Sequence, residues 1–346
     1  MGLFGFLFKK ERASSAVLID VSADSIGGAY VYSKNGLPFL AFTKRVPIER
    51  RGDEPIETAL SRSFSELGKS LLTEGAPALL RASGSAHLGN VIASIDAPWQ
   101  ETAIRSEKIE REKPFTFTKS VLDAAIAKGG ETPPGKVLVD ESVVGTVLDG
   151  YETKRPIGKR ASRAAVTILT SFVNRELAEA VGSELRKLFH VSRIGHVAAP
   201  SIRYQAMRHL FSLEHDYLLV DMSADTLINA LVRRGLLVAV EQTTLEGSSS
   251  PEIEHWLPAL KKNLESITAR YPLPRTFFLI APKDITVPIK ALLEGVALEH
   301  LRLSQEAPSV LPLALPLLNE CVKLAGDVIP DLELMCMAIF WHRCGR

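Results

Sequence analysis

Two stretches of the chain share one grammar of apolar and polar positions. Residues 16–21 are apolar, a Ser/Asp/Gly turn follows, residues 29–32 are apolar again, and beyond Lys34-Asn35-Gly36 comes a third apolar run, 37–42. That pattern predicts strand, turn, strand, turn, strand. It returns at 217–221, a Ser-Ala-Asp turn, 227–232, Arg233-Arg234-Gly235 and 236–240. The match reaches individual residues, with LIDVSADSIGGAYV from Leu18 answered by LVDMSADTLINALV from Leu219. Each copy precedes a helical pattern: 56–72 carries Leu60, Phe64, Leu67 and Leu71, and 253–267 carries Trp256, Leu257, Leu260, Leu264 and Ile267, at spacings of three and four. Two copies of one hairpin-plus-helix unit are therefore expected, with Trp256 in the core.

The piece between the copies reads differently. It predicts a strand over 94–99, a helix over 117–127 capped by Thr118, strands over 136–139, 141–148 and 164–170, and a helix over 175–189. After the second copy, 276–280 predicts a strand, 288–294 a helix and 332–342 a closing helix. The expected organisation is an N-terminal segment 1–15, a first domain of 16–89 with 191–215, an inserted α+β subdomain of 90–190 and a second domain of 216–346.

Composition narrows the function classes. The 346 residues are 46% hydrophobic and carry a formal net charge of +1, so cores are affordable and no global field favours nucleic acid. The three cysteines, Cys321, Cys336 and Cys344, lack CxxC spacing, which fits free thiols in a reducing compartment and a cytoplasmic location. No apolar run is long enough to span a bilayer. The opening MGLFGFLFKKER puts Leu and Phe ahead of Lys9, Lys10 and Arg12, and supports two readings: an interfacial membrane contact through residues 1–12, or a start that docks on the body.

The paired hairpins, each opening on an Asp after an apolar strand, resemble the phosphate-binding hairpins of the actin-like ATPase superfamily. Asp149-Gly150-Tyr151, Arg155-Pro156-Ile157-Gly158, the strand 164–170 and the helix from Arg175 resemble the inserted subdomain of the cell-division protein FtsA and the pilus-assembly protein PilM. The resemblance implies an α/β fold of two actin-like, ribonuclease H-like halves with that insert. It also implies a nucleotide cleft built from Asp20, Ser22, Ala23, Asp24, Ser25, Asp221, Ser223, Ala224, Asp225, Thr226 and Ala281. Against the family pattern, Ser22 and Ser223 stand where Gly is expected, Gly27 stands where Lys is expected, and Asp24 and Asp225 bring carboxylates to loops that should cradle phosphate. The adenosine turn reads Ala281-Pro282-Lys283-Asp284, without its glycines. The SAD motifs then read as hairpin turns whose Ser and Asp side chains bond nearby backbone. No cofactor is expected; the alternative is a weak ATP and magnesium site on Asp20 and Asp221.

Other motifs carry less. Gly130 to Lys136 imitates a phosphate loop, but Val137 replaces the hydroxyl residue, two prolines remove amides and a strand follows instead of a helix. His209, Glu214 and His215 do not make a zinc signature. Arg155, Lys159, Arg160 and Arg163 form a basic run in the insert. The resemblance implies that this subdomain meets partners, with Val166, Ile168, Leu177 and Val181 contributing. The expected protein is a non-catalytic actin-like scaffold of a type IV pilus or related secretion machine, cytoplasmic and peripheral to the inner membrane. It would take a short cytoplasmic peptide from an inner-membrane assembly protein, with a homo-oligomer as a further possibility. The alternatives are an FtsA-like division protein that polymerises and an active ATPase or small-molecule kinase.

Overall fold

A computed structural model describes residues 15–85, 87–129, 132–153, 155–223, 226–245, 253–295 and 306–344. The segment 1–12 and the turn residues Ala224 and Asp225 lie outside the described residues. The first apolar run forms β1 (Ser15–Val21), antiparallel to β2 (Ser25–Lys34), which pairs with β3 (Leu37–Pro47). All of β1 is buried, because both faces of its sheet are covered, and a strand so placed reads as an unbroken apolar run. Asn35 and Gly36 both hold positive φ, as a two-residue hairpin turn requires. The chain continues through α1 (Ile56–Ser70), a π turn at Leu71–Gly75, α2 (Ala76–Ser83) and β4 (Asn90–Ile95), parallel to β1. Pro77 has no N–H for a carbonyl one turn back, and the extra residue of the π turn accommodates it.

The insert follows: β5 (Gln100–Thr116), α3 (Lys119–Ala127), β6 (Lys136–Leu148), β7 (Tyr151–Glu152) and β8 (Arg160–Asn174), in sheet order β5-β8-β6-β7. Thr118 caps α3 as expected, its hydroxyl accepting from Val121 N–H. Then α4 (Arg175–Phe189) leads to β9 (Gly195–Ala198) beside β4, and to α5 (Ala199–Leu210). The second copy gives β10 (Tyr217–Ser223), β11 (Thr226–Arg233), β12 (Leu236–Thr244) and α6 (Ile253–Thr268). It is followed by β13 (Thr276–Ile280), α7 (Lys283–Glu294), β14 (Ser309–Pro312) and α8 (Leu315–Leu318). Arg234 and Gly235 repeat the positive-φ turn. Even a bulge recurs, at Ala41 of β3 opposite Tyr30 and Val31 and at Val238 of β12 opposite Leu231 and Val232.

With β15 (Lys323–Leu324) on one edge, two sheets, β15-β3-β2-β1-β4-β9 and β12-β11-β10-β13-β14, face each other across α5 and a last helix, α9 (Leu332–Cys344). Leu18, Val31 and Val197 of the first sheet share one apolar cluster with Tyr217, Leu219 and Phe278 of the second and Met335 to Trp341 of α9. A helix in that position is buried all round along its middle, hence the unbroken apolar run from Leu334 to Trp341 in α9. The outer faces are closed by α1 and α4 on the first lobe and by α6 and α7 on the second, where Trp256 is core as expected.

Several expected boundaries need correction. The strand placed at 94–99 is Asn90–Ile95, and it belongs to the first sheet; α4 packs on that lobe too, so the insert spans 100–174 and not 90–190. The span 216–346 does not stay with the second lobe, because β15 (Lys323–Leu324) pairs with β3 and α9 packs against the first sheet. The strands expected at 136–139 and 141–148 are one strand, interrupted by a bulge at Val139. The 17-residue β5 escapes the pattern because its outer half is charged and solvated on an edge, which blunts unwanted pairing.

Helix packing supplies a stability test. A Cβ at Gly75 would lie 2.7 Å from the buried ring of Tyr30 and 2.9 Å from Phe42 Cδ1, whereas one at Gly68 would meet only the half-buried methyl end of Leu188. Gly75→Ala should cost about 1–3 kcal/mol through overpacking. Gly68→Ala should stay within about 1 kcal/mol, since Leu188 moves and alanine favours the helix. Urea unfolding midpoints of the two variants check the order.

Candidate functional site

Asp20 near the end of β1, Asp96 just beyond β4 and Asp221 in β10 meet where the carboxyl ends of the central strands converge between the lobes. All three are buried. In each hairpin the Ser two residues after the Asp turns its hydroxyl back onto that carboxylate: Ser22 Oγ donates to Asp20 Oδ2 at 2.9 Å and Ser223 Oγ to Asp221 Oδ1 at 2.8 Å. The first SAD motif is a hairpin turn as expected, and in both copies the Ser hydroxyl bonds a carboxylate oxygen and not backbone. Ser25 likewise donates to the exposed Asp24 at 2.9 Å. Ala23 is half-buried in the same turn, and Thr226 is buried with its hydroxyl 3.4 Å from that of Thr244 on β12.

Two arginines that the sequence pattern does not single out complete the site. Arg203, in the second turn of α5, is 1% exposed. Its Nη1 donates to Asp221 Oδ2 at 3.0 Å and to Asp96 Oδ1 at 3.2 Å, its Nη2 donates to Asp96 Oδ2, and its Nε donates to Glu333 Oε2 at 3.0 Å. Arg45 on β3 donates from Nη2 to Asp20 Oδ2 at 3.0 Å, from Nε and Nη2 to both oxygens of Asp331 at 2.7 and 3.0 Å, and from Nη1 to Ser25 Oγ at 3.1 Å. Asp331 also caps α9, accepting from Leu334 N–H at 3.1 Å. Glu333 follows in the first turn of that helix.

The electrostatics follow from burial. Burial pushes Asp20 up against the pull of Arg45, and Asp221 up against Arg203. Burial, with the carboxylates around it, raises Glu333 to about 8 despite Arg203. Burial works against charge on Arg203, yet Asp221, Asp96 and Glu333 hold it firmly protonated. A second buried carboxyl, Asp140 beside the β6 bulge, accepts from Ser142 at 2.7 Å and from Ser201 in the first turn of α5, and burial lifts it to about 6.

The actin-like fold implies a magnesium nucleotide in this cleft, and the residues present do not fit one. A Cβ at Gly27 would lie 2.7 Å from Arg45 Nη2, so a guanidinium covers the floor of the first loop. Arg203 sits between the carboxylates that a metal would need. At the third signature, Ala281 is half-buried and Pro282 caps α7 without an amide donor. Among the described residues no group of three or more His, Cys, Asp or Glu side chains is arranged to hold a metal. His209 at the end of α5 instead faces Arg343, 2.9 Å from its Nη2.

The expected partner residues divide sharply. Arg155, Lys159, Arg160 and Arg163 are exposed at the far end of the insert and form no ion pair among the described residues. Val166 and Ile168 face α3 in the insert core, while Leu177 and Val181 lie on the buried face of α4 against the first sheet. Those four are therefore corrected to core positions, because side chains 0–2% exposed offer a partner no surface. Beside the basic residues stand Tyr151 and Ile157, 80% and 57% exposed. The tip is held by Asp149, which accepts from Ser162 and Arg163 N–H, and by Phe117, which exchanges two backbone hydrogen bonds with Gly158 and Lys159.

Neither a protein-family model nor a curated protein matches the sequence. Solved structures do. The chain superposes on one from the PilM–PilN type IV pilus biogenesis complex over 96% of its own length and 97% of the other, with TM-score 0.54 and 14% identity. It is also similar to a protein of actin-like ATPase fold and unknown function from Bacteroides thetaiotaomicron, at TM-score 0.47 and 10% identity over 94% and 96% of the two chains. The fold is that of the actin-like ATPases, as the paired hairpins imply. Within that class nearly the whole chain aligns with the PilM–PilN structure.

The raised carboxyls give a pH dependence of known sign. A carboxyl whose folded pKa exceeds its unfolded value contributes stability that is full below the unfolded value and lost as pH climbs through the folded one. Asp140 acts between about pH 4 and 6 and Glu333 between about pH 4.5 and 8. The thermal midpoint should therefore fall from about pH 5 to pH 8, and Glu333→Gln should flatten the part above about pH 6 while leaving the Asp140 part. Calorimetric scans across that range read both arms.

Proposed function

We propose that this protein is a non-catalytic actin-like scaffold of a type IV pilus or related secretion assembly, cytoplasmic and peripheral to the inner membrane, and that its insert docks a short segment of an inner-membrane partner. The observation that carries the non-catalytic half is the pair of guanidiniums, Arg45 and Arg203, lying on the carboxylates where nucleotide chemistry would occur. The likeness to the PilM–PilN type IV pilus biogenesis complex supports the choice of assembly. No helix among the described residues is long and apolar enough to cross a membrane, which suits a peripheral role.

The docking half rests on the insert tip. Residues 149–163 carry five basic and two acidic side chains in a chain whose whole net charge is +1, so the positive charge is concentrated there. Basic residues beside two protruding apolar ones, Tyr151 and Ile157, make a surface that joins charge attraction to an aromatic anchor, the composition favoured at interface centres. The turn contacts from Asp149 and Phe117 fix that surface in advance, which lowers the entropic cost of binding.

The test is a photo-crosslinking residue at Tyr151, used with membrane extracts of the source cells. It should label a membrane protein, and Arg155→Glu, Arg160→Glu and Arg163→Glu together should weaken capture at least about tenfold, ~1.4 kcal/mol. Their unfolding free energies should stay within about 0.5 kcal/mol of the parent, as exposed positions allow. Undiminished capture by the triple variant would place docking elsewhere.

A further inference from the structure

The magnesium nucleotide that the fold implies does not fit the cleft, and the group standing in its place is part of the chain. Arg203 belongs to α5, which lies between the two sheets. One edge of its guanidinium holds Asp96, carried by the first lobe; Nη1 also holds Asp221, carried by the second; Nε holds Glu333 on α9. Arg203 is 1% exposed, so these contacts are unscreened by solvent. Farther along the same junction, Gln242 of β12 ties the second lobe to the insert by copying a strand bridge. Its Oε1 accepts from Thr102 N–H at 3.1 Å and its Nε2 donates to the Gln100 carbonyl at 3.2 Å.

We infer that Arg203 is a built-in cation that keeps the two lobes closed with no nucleotide or metal, so that the insert is presented in one fixed attitude and does not cycle with ATP. A bound metal nucleotide would bridge loops of the two lobes through an exchangeable ligand. Here the bridge is covalently part of α5, and opening the lobes would strand either Asp221 or Asp96 without its counter-charge in a buried site. The inference stands on the cleft alone and holds whether or not the insert tip is the docking surface.

The experiment reads the distance between lobes directly. Spin labels are placed on exposed Lys69 of α1 and Glu265 of α6, each changed to Cys with Cys321→Ser, Cys336→Ala and Cys344→Ser in the background, and distances are measured by pulsed electron resonance. The parent should give one narrow distribution, unmoved by millimolar magnesium ATP. Arg203→Lys keeps the charge but not the fork, and should shift the distribution to longer distances or broaden it. Arg203→Met with Asp96→Asn and Asp221→Asn removes the cation along with the charges it serves, and should fold and be open. A parent distribution that moves with magnesium ATP, or an Arg203→Lys chain as narrow as the parent, overturns the inference. Should either variant fail to fold, the response of the parent to magnesium ATP decides the matter alone.

Discussion

A guanidinium cannot be buried without company. Removing Arg203 from water costs several kcal/mol, and only close, well-directed carboxylates recover it. That requirement fixes the positions of Asp96, Asp221 and Glu333, and with them the ends of β4 and β10 and the start of α9. Those ends in turn set how far apart the two sheets stand, since α5 and α9 fill the apolar layer between them. The charged joint and the apolar layer are thus complementary: the layer supplies cohesion without direction, and the joint supplies direction. Breaking one partner of such a joint typically costs about 3–5 kcal/mol.

The repeat shows how one supersecondary unit has been set to two tasks. Both copies keep the Asp, the Ser that bonds it, the positive-φ second turn and a bulge in the third strand. They differ beneath the helix each one carries. Gly28 lets Leu67 of α1 and Leu71 of the π turn press onto the strand, where a Cβ would meet them at 3.0 and 3.1 Å. The matching Asn229 instead accepts from Asn263 of α6 at 3.0 Å, part of a polar seam that runs on to Thr243. One lobe packs its helix by contact and the other by hydrogen bonding, on the same strand scaffold.

How much of this was legible in the sequence depends on the range of the interaction. The hairpins, α4 and β13 announce themselves by local pattern, and the Asp that opens each hairpin is visible from the repeat. Arg203 is not visible, because it lies between Ile202 and Tyr204 in an ordinary helix and its three partners come from 107, 18 and 130 residues away. Asp140 shows only as a polar break in an apolar run, which invites division of the strand in two. Val166, Ile168, Leu177 and Val181 read as candidate contacts because the resemblance points to the strand and helix that carry them, and the sequence pattern marks a buried face without saying what buries it. The structure answers that the insert and the first lobe do so themselves.

The charge count of the cleft bears on its chemistry. Five carboxyls, Asp20, Asp96, Asp221, Asp331 and Glu333, surround two guanidiniums, so full ionisation would leave a surplus of negative charge in a buried space. Burial raises Asp20, Asp221 and Glu333, so taking up protons is the route these residues themselves offer toward balance. A protonated carboxyl donates a hydrogen bond as well as accepting one, which suits a crowded set of oxygens. The same protonation weakens the set as a cradle for a multivalent cation, because metal ligands must be deprotonated. The arginines and the protons thus act in one direction, toward a joint that holds its shape and away from a site that exchanges its contents.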